Sequence, residues 1–176
     1  QSFTPIMDNL DILFLGDIAI NWKSNPRMIW AGTGEANSSR SSYAGTGVYH
    51  SKDNGKNWQH LGLAESHHIG DIKLHPTDPN TAWVAVLGHL YSPNEERGVY
   101  KTSDGGANWQ RTLFVNNQTG CIDLAMHPAD PTTLYAAMWK RSREAWKFEE
   151  SGPASGIYKS VDGGTTWNKI SGAGSG

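Results

Sequence analysis

Three aspartates recur at one point in the chain's pattern. Asp17, Asp71 and Asp123 each open an alternating stretch: Asp17-Ile-Ala-Ile, Asp71-Ile-Lys-Leu and Asp123-Leu-Ala-Met. Carboxylates gathered near one axis are the groups a glycosidase uses as acid and base. Recurrence in every copy points first to a structural duty, such as bonding the backbone of a neighbouring sheet. Three histidines, His67, His68 and His89, are of a type that ligates zinc. Nothing in their spacing enforces convergence, so neither a metal site nor a cofactor is expected. A third group lies in stretches rich in turn residues: Glu35, Arg40, Tyr91, Glu95, Arg97, Trp139, Arg141, Arg143 and Trp146. With His68 and His89, these suit a glycan or peptide ligand, because aromatic rings stack on flat partners and arginine donates paired bonds. The plainer reading is that Glu95-Glu96-Arg97 holds a solvated ion pair and that Trp139 packs under its own loop.

The elements that position these groups come from a repeat. Gly47-Val-Tyr-His-Ser-Lys-Asp-Asn-Gly-Lys-Asn-Trp58, Gly98-Val-Tyr-Lys-Thr-Ser-Asp-Gly-Gly-Ala-Asn-Trp109 and Gly156-Ile-Tyr-Lys-Ser-Val-Asp-Gly-Gly-Thr-Thr-Trp167 are three copies of one motif. Asp53, Asp104 and Asp162 lie 51 and 58 residues apart. Gly55, Gly106 and Gly164 supply the positive φ of a tight hairpin. Each aspartate is placed to accept turn N–H groups. Ser51, Thr102 and Ser160, two positions earlier, can bond back to it. Trp58, Trp109 and Trp167 open the next strand and cover the hairpin from the side. Three equivalent copies at separate places cannot meet at one substrate atom, so these aspartates read as structural. They also lack the evenly spaced oxygens of a calcium loop.

More of the unit repeats. The alternating stretch reads as a strand. A proline turn follows (Asn25-Pro26, His75-Pro-Thr-Asp-Pro79, His127-Pro-Ala-Asp-Pro131), and then an apolar run (Met28–Ala31, Ala82–Val86, Leu134–Met138). A long loop leads on to the motif strand, its turn and a last strand. Four strands per unit of ~40–50 residues is the pattern of a propeller blade. The expected fold is therefore all-β, a β-propeller segment of three four-stranded antiparallel blades. Residues 1–10 would be the outer strand of a preceding blade. Blades would follow at 11–65, 66–115 and 116–170, with a flexible tail at 171–176. The aspartate turns and proline turns would share one rim. The long loops 32–46, 88–97 and 139–155 would share the other, where sites on rigid scaffolds are usually found.

Composition narrows the partners. A net charge of −2 with scattered basic residues gives no basic face for nucleic acid. No apolar run reaches the ~20 residues needed to span a bilayer, so no membrane insertion is expected. Cys121, the single cysteine, excludes an internal disulfide and reads as a buried thiol. Neither Gly-x-Ser-x-Gly nor His-Glu-x-x-His occurs, and there is no phosphate loop.

The motif Gly-(Val/Ile)-Tyr-x-(Ser/Thr)-x-Asp-(Asn/Gly)-Gly-x-x-Trp resembles the BNR/Asp-box repeat of sialidases, xyloglucanase-type glycosidases and sortilin/Vps10 domains. The loops Gly32-Thr-Gly-Glu-Ala-Asn37, Gly88–Gly98 and Ala137–Trp146 are similar to those of large exported bacterial proteins described as glycosyl hydrolase BNR repeat or Vps10/sortilin-like. The resemblance implies a periplasmic or extracellular location. Neither the sialidases' arginine triad nor the xyloglucanases' first-blade sequence has a counterpart here. The expected function is a non-catalytic binding or scaffold module holding a glycan or peptide. The alternatives are a glycoside hydrolase, or an assembly segment completed by another chain. Because three blades leave two apolar faces open, the remaining blades of a longer chain, or a second copy, are the expected structural partners.

Overall fold

The run Ala82-Trp-Val-Ala-Val86 has no polar position, and all five residues are buried. Only a strand covered on both faces needs such a sequence. In the computed structural model, which describes residues 2–171, it is a central strand of the middle one of three sheets. The first sheet is β1 (Leu15–Asn21), β2 (Met28–Thr33), β3 (Val48–Ser51) and β4 (Gln59–His60). The second is β5 (Ile69–Leu74), β6 (Ala82–Val86), β7 (Gly98–Thr102) and β8 (Gln110–Leu113). The third begins with β9 (Thr119–His127) and β10 (Asp130–Lys140). A two-stranded hairpin, β11 (Ser142–Arg143) and β12 (Phe148–Glu149), interrupts it before β13 (Gly156–Ser160) and β14 (Asn168–Lys169). Each four-stranded sheet is antiparallel and follows chain order.

Two cores hold the sheets together. Trp30, Val48 and Leu61 of the first pack against Ile69, Ile72, Val84 and Val86 of the second. Trp83, Ala85 and Val99 of the second pack against Cys121, Leu124, Leu134 and Met138 of the third. Trp30 and Trp83 are both 1% exposed. Burying one indole removes on the order of 200 Å² from water, worth about 5 kcal/mol at ~25 cal/mol per Å². Cys121 is buried as expected, and burial pushes its thiol well above the ordinary range.

The three aspartate turns are built alike. Ser51, Thr102 and Ser160 each donate to the aspartate two residues on, at 2.9, 2.8 and 2.7 Å. The same hydroxyls accept the N–H of Gly55, Gly106 and Gly164. The carboxylates take the N–H groups of Asn57, Asn108 and Thr166, each at 2.9 Å. These bonds hold Asp53 and Asp104 down to about 2. Each turn also donates an N–H to its own sheet's first hairpin, at the carbonyls of Arg27, Asn80 and Thr132. The aspartate turns and the proline turns therefore share one rim.

Residues 2–6 do not form the expected outer strand. A strand needs a partner, and no strand among the described residues lies beside them. The Ile6 carbonyl nevertheless accepts the Trp58 indole N–H at 2.8 Å, as the Leu61 carbonyl accepts that of Trp109 at 2.7 Å. Of the expected tail, residues 172–176 lie outside the described residues. Ser171 is tied down, its Oγ accepting the Ile157 N–H at 2.8 Å.

The turn glycines differ in how replaceable they are. Gly106 has φ +90°, and a Cβ there would lie 2.5 Å from a Leu61 methyl. Gly105 has φ +73°, a Cβ there would make only an ordinary contact at 3.5 Å with Asn80 Oδ1, and Asn54 holds the equivalent place in the first turn at φ 64°. Gly106→Ala is expected to cost about 2 kcal/mol or more, whereas Gly105→Asn is expected to be near neutral. Urea unfolding of both variants checks this; equal losses would contradict it.

Candidate functional site

Close approach of the inner strands decides what the repeated aspartates do. Gly16 and Gly70 sit at irregularities in the β1–β2 and β5–β6 pairing. Beyond each, the next sheet comes so close that Asp17 Oδ2 accepts the Ile72 N–H at 2.8 Å and Asp71 Oδ2 accepts the Leu124 N–H at 2.8 Å. These carboxylates latch one sheet to the next. Asp71 is also 2.7 Å from the Lys73 ammonium. Burial, with Asp123 beside it, pushes the Asp71 carboxyl up to about 6 against the pull of Lys73 and the Leu124 N–H. Asp123 is exposed.

The opposite rim carries the loops 34–47, 87–97 and 141–155, and they are tied to one another. Tyr91 donates its hydroxyl to the Arg40 carbonyl at 3.1 Å. Arg143 donates its N–H to the Leu90 carbonyl at 3.0 Å. Arg141, fully buried, reaches from the third loop to the first and donates to the carbonyls of Asn37 and Ala36 at 2.7 and 3.2 Å. Arg97, 1% exposed, donates to the carbonyls of Leu87, His89, Ser92 and Gln118. The two guanidiniums are loop clamps, not the ligand contacts that the sequence suggests. Burial pulls Arg97 down to about 10, and burial with Arg97 nearby pulls Arg141 down to about 9, so both stay charged at neutral pH.

Other expected ligand contacts are also occupied. His68 is 1% exposed, and burial beside Arg141 holds it at about 3. Glu35 turns back to accept the Tyr43 N–H at 2.7 Å. Trp139 donates its indole N–H to the Glu150 carbonyl at 2.8 Å, under its own loop. Arg143 lies over the Phe148 ring at 4.9 Å. Glu95 stands 4.0 Å from Arg111. Arg40, Tyr91, Glu95 and Trp146 remain exposed, Trp146 at 85%. Between the second and third loops lies a cleft of about 280 Å³ lined by Tyr91, Pro93, Gln118, Ser142, Glu144, Lys147 and Glu149. A hollow of about 320 Å³ on the aspartate rim is lined by Thr102, Asp104 and Asn108, whose polar atoms are already spent in the turn.

The structure does bring two of the histidines together. His67 stacks on His89 with ring centroids 3.6 Å apart, while His68 stands edge-on to His67 at 6.3 Å. Sequence reasoning passed over Glu65, which shares their neighbourhood. Its only signal was its closeness in sequence to His67.

Two expectations follow. Arg141→Met keeps the aliphatic stem but removes charge-assisted bonds worth about 1.5–3 kcal/mol each. Cleavage within residues 34–47 in limited proteolysis should quicken by about tenfold; an unchanged rate would contradict the clamp.

The second concerns pH. His50 is held at about 4 by burial and Lys52, and His68 at about 3, against an ordinary 6.5. Their stabilising contribution is whole above 6.5 and is lost as pH falls towards these values. Asp71 works the other way, its contribution being present below 3.8 and lost as pH rises through about 6. With three imidazoles, His67 being lowered by burial as well, against one carboxyl, the urea midpoint should fall between pH 6.5 and 4. His50→Phe, which preserves the stack on Trp30, should make that fall shallower.

Comparison with known proteins places this architecture. The family model described as sortilin, neurotensin receptor 3 (Sortilin-Vps10) matches residues 46–174. No curated protein matches. Among solved structures, an ancestral GH74 enzyme is similar with a TM-score of 0.60 and 20% identity, over 88% of this chain and 18% of that one. The GH74 xyloglucanase from Xanthomonas campestris is similar with a TM-score of 0.40 and 15% identity, over 81% of this chain and 28% of that one. The likeness to the ancestral enzyme shows the fold, a β-propeller. This chain spans less than a fifth of that enzyme's length.

Proposed function

This chain belongs to the sortilin/Vps10 family, and from that premise we propose that it is a non-catalytic binding segment of a β-propeller, holding a glycan or peptide on its long-loop rim. The cleft between the second and third loops carries the proposal. Its lining combines an exposed tyrosine face with an amide, a hydroxyl, carboxylates and an ammonium. Such a mixture suits a polyhydroxylated ligand better than an apolar one. At about 280 Å³ the cleft has room for about one sugar ring. Trp146, on the adjoining β11–β12 hairpin, offers a second exposed ring for stacking. The repeated aspartates support a binding role, because Asp17 and Asp71 are spent as latches.

One observation favours a glycoside hydrolase as the second reading. Asp71, raised to about 6 with Asp123 beside it, has the protonation behaviour of a general acid. The likeness to GH74 enzymes is one of fold alone and leaves this reading open.

The outer faces of the first and third sheets expose Leu13, Ile18 and Trp22 on one side and Ile157, Val161 and Ile170 on the other. Further blades of a longer chain, in a periplasmic or extracellular protein, are the proposed cover, with a second copy as the alternative.

Glycan and peptide arrays test the binding role. Tyr91→Ala and Trp146→Ala should each weaken capture by about tenfold or more. Turnover of a glycosidic substrate that is lost in Asp71→Asn, with no binding on the arrays, would overturn the proposal in favour of the hydrolase.

A further inference from the structure

We propose that Glu65, His67 and His89 form a binding site for a zinc-class divalent transition metal at the seam between the first and second sheets. One candidate ligand atom from each of the three residues lies within 4.8 Å of the other two. Two imidazoles and one carboxylate form a donor set of the kind that holds zinc with one position left open. The hard all-oxygen preference of calcium or magnesium does not match it. The seam is complete within the described residues. Glu65 and His67 come from the link between β4 and β5, and His89 comes from the loop after β6.

The local structure is arranged around these side chains. His67 holds φ 54° and ψ −47°, a backbone region that non-glycine residues avoid, and its carbonyl accepts the Gly45 N–H at 2.6 Å. His89 follows Gly88, at φ +74°, where any Cβ would meet Arg97 and Asn94 at 2.4 Å. His89 Nδ1 lies 3.2 Å from Ser92 Oγ, while its Nε2 is buried and has no partner. With the proton on Nδ1 and directed at Ser92, Nε2 presents a bare lone pair, the arrangement a ligating histidine takes from its outer neighbour.

Charge around the seam is mixed. Glu96 adds a second carboxylate close to His67. Arg97 and Arg141 are the opposing cations, and both are engaged with backbone carbonyls. His68 stands edge-on and is buried. The stacked rings direct their in-plane lone pairs side by side, so binding requires His67 to turn about its side-chain torsions. Neither His67 nor Glu65 makes a side-chain hydrogen bond among the described residues that would prevent this.

The test is calorimetric titration of the tag-free, chelator-treated chain with zinc chloride. One ion should bind per chain, with a dissociation constant of about 10 μM or tighter. His89→Ala and His67→Gly should each weaken binding by at least about tenfold. Glycine suits the positive φ at 67, so that variant removes the imidazole without straining the backbone. His127→Ala, on the opposite rim, should leave binding unchanged. As a second readout that needs no variant, Ni²⁺ should broaden the ring proton signals of His67 and His89 before those of His60, His75 or His127. No saturable binding below about 100 μM, undiminished binding in both ligand variants, or broadening that spares His67 and His89 would each overturn the site.

Discussion

Two backbone carbonyls set the geometry of the molecule. The Ile69 oxygen lies 1.8 Å from where a Cβ on Gly16 would stand, and the Ile122 oxygen lies 2.2 Å from where one on Gly70 would stand. Only glycine lets successive inner strands approach so closely. That approach brings Asp17 and Asp71 within bonding distance of the next strand's N–H groups. A sheet pinned at its inner strand and spread by bulky indoles further out has to fan, and a fan of four-stranded sheets is a propeller. The third sheet departs from this rule, because Ile122 takes the place before Asp123 that Gly16 and Gly70 take before theirs.

The inner latch explains why the two rims are free to differ. Sheet spacing is fixed at the axis and in the two cores, so the aspartate turns need only close their hairpins. They do so with one repeated set of bonds from serine or threonine through aspartate to the backbone. The loop rim has no such repeat. Its three loops differ in length; Arg97 binds carbonyls from several segments at once, and Arg141 reaches across to the first loop. A guanidinium can do this because it offers five donors in a rigid fork.

These differences account for what could be read from the sequence. The sheets, the turns and the latch were legible because each rests on local chemistry or on a period: glycine for positive φ, aspartate for turn amides, alternation for a half-covered strand. The loop residues were legible only by type. Arg97 and Arg141 have the same composition signal as a ligand-binding arginine. Their burial depends on contacts 21 and 104 residues away in sequence, which no local pattern encodes. His67 and His89, 22 positions apart, are stacked by the folding of two unrelated loops, and their meeting was likewise invisible. Residues 2–6 failed as a strand for the opposite reason. Their pattern was adequate, but a strand is a property of a pair.

The same contrast appears in the energetics. Along the aspartate rim the turn hydroxyls and carboxylates are bonded, and the low pKa values of Asp53 and Asp104 record it. On the loop rim several buried polar atoms have no partner: Arg97 Nε, Arg141 Nε and Nη2, His68 Nδ1, His89 Nε2, Ser66 Oγ and Thr119 Oγ1. Each unpaired group costs about 1–3 kcal/mol, and folded proteins keep few of them. A scaffold selected for stability alone would place apolar side chains at these positions, since replacing buried charge with apolar groups is often neutral or stabilising. Most of these atoms lie on the rim with the long loops, the cleft and the stacked histidines; His50 Nε2, one residue before the first aspartate turn, is an exception. The two rims therefore differ in how fully their buried polar groups are bonded within the chain: the aspartate turns satisfy theirs with one repeated set of bonds, and the long loops leave several open.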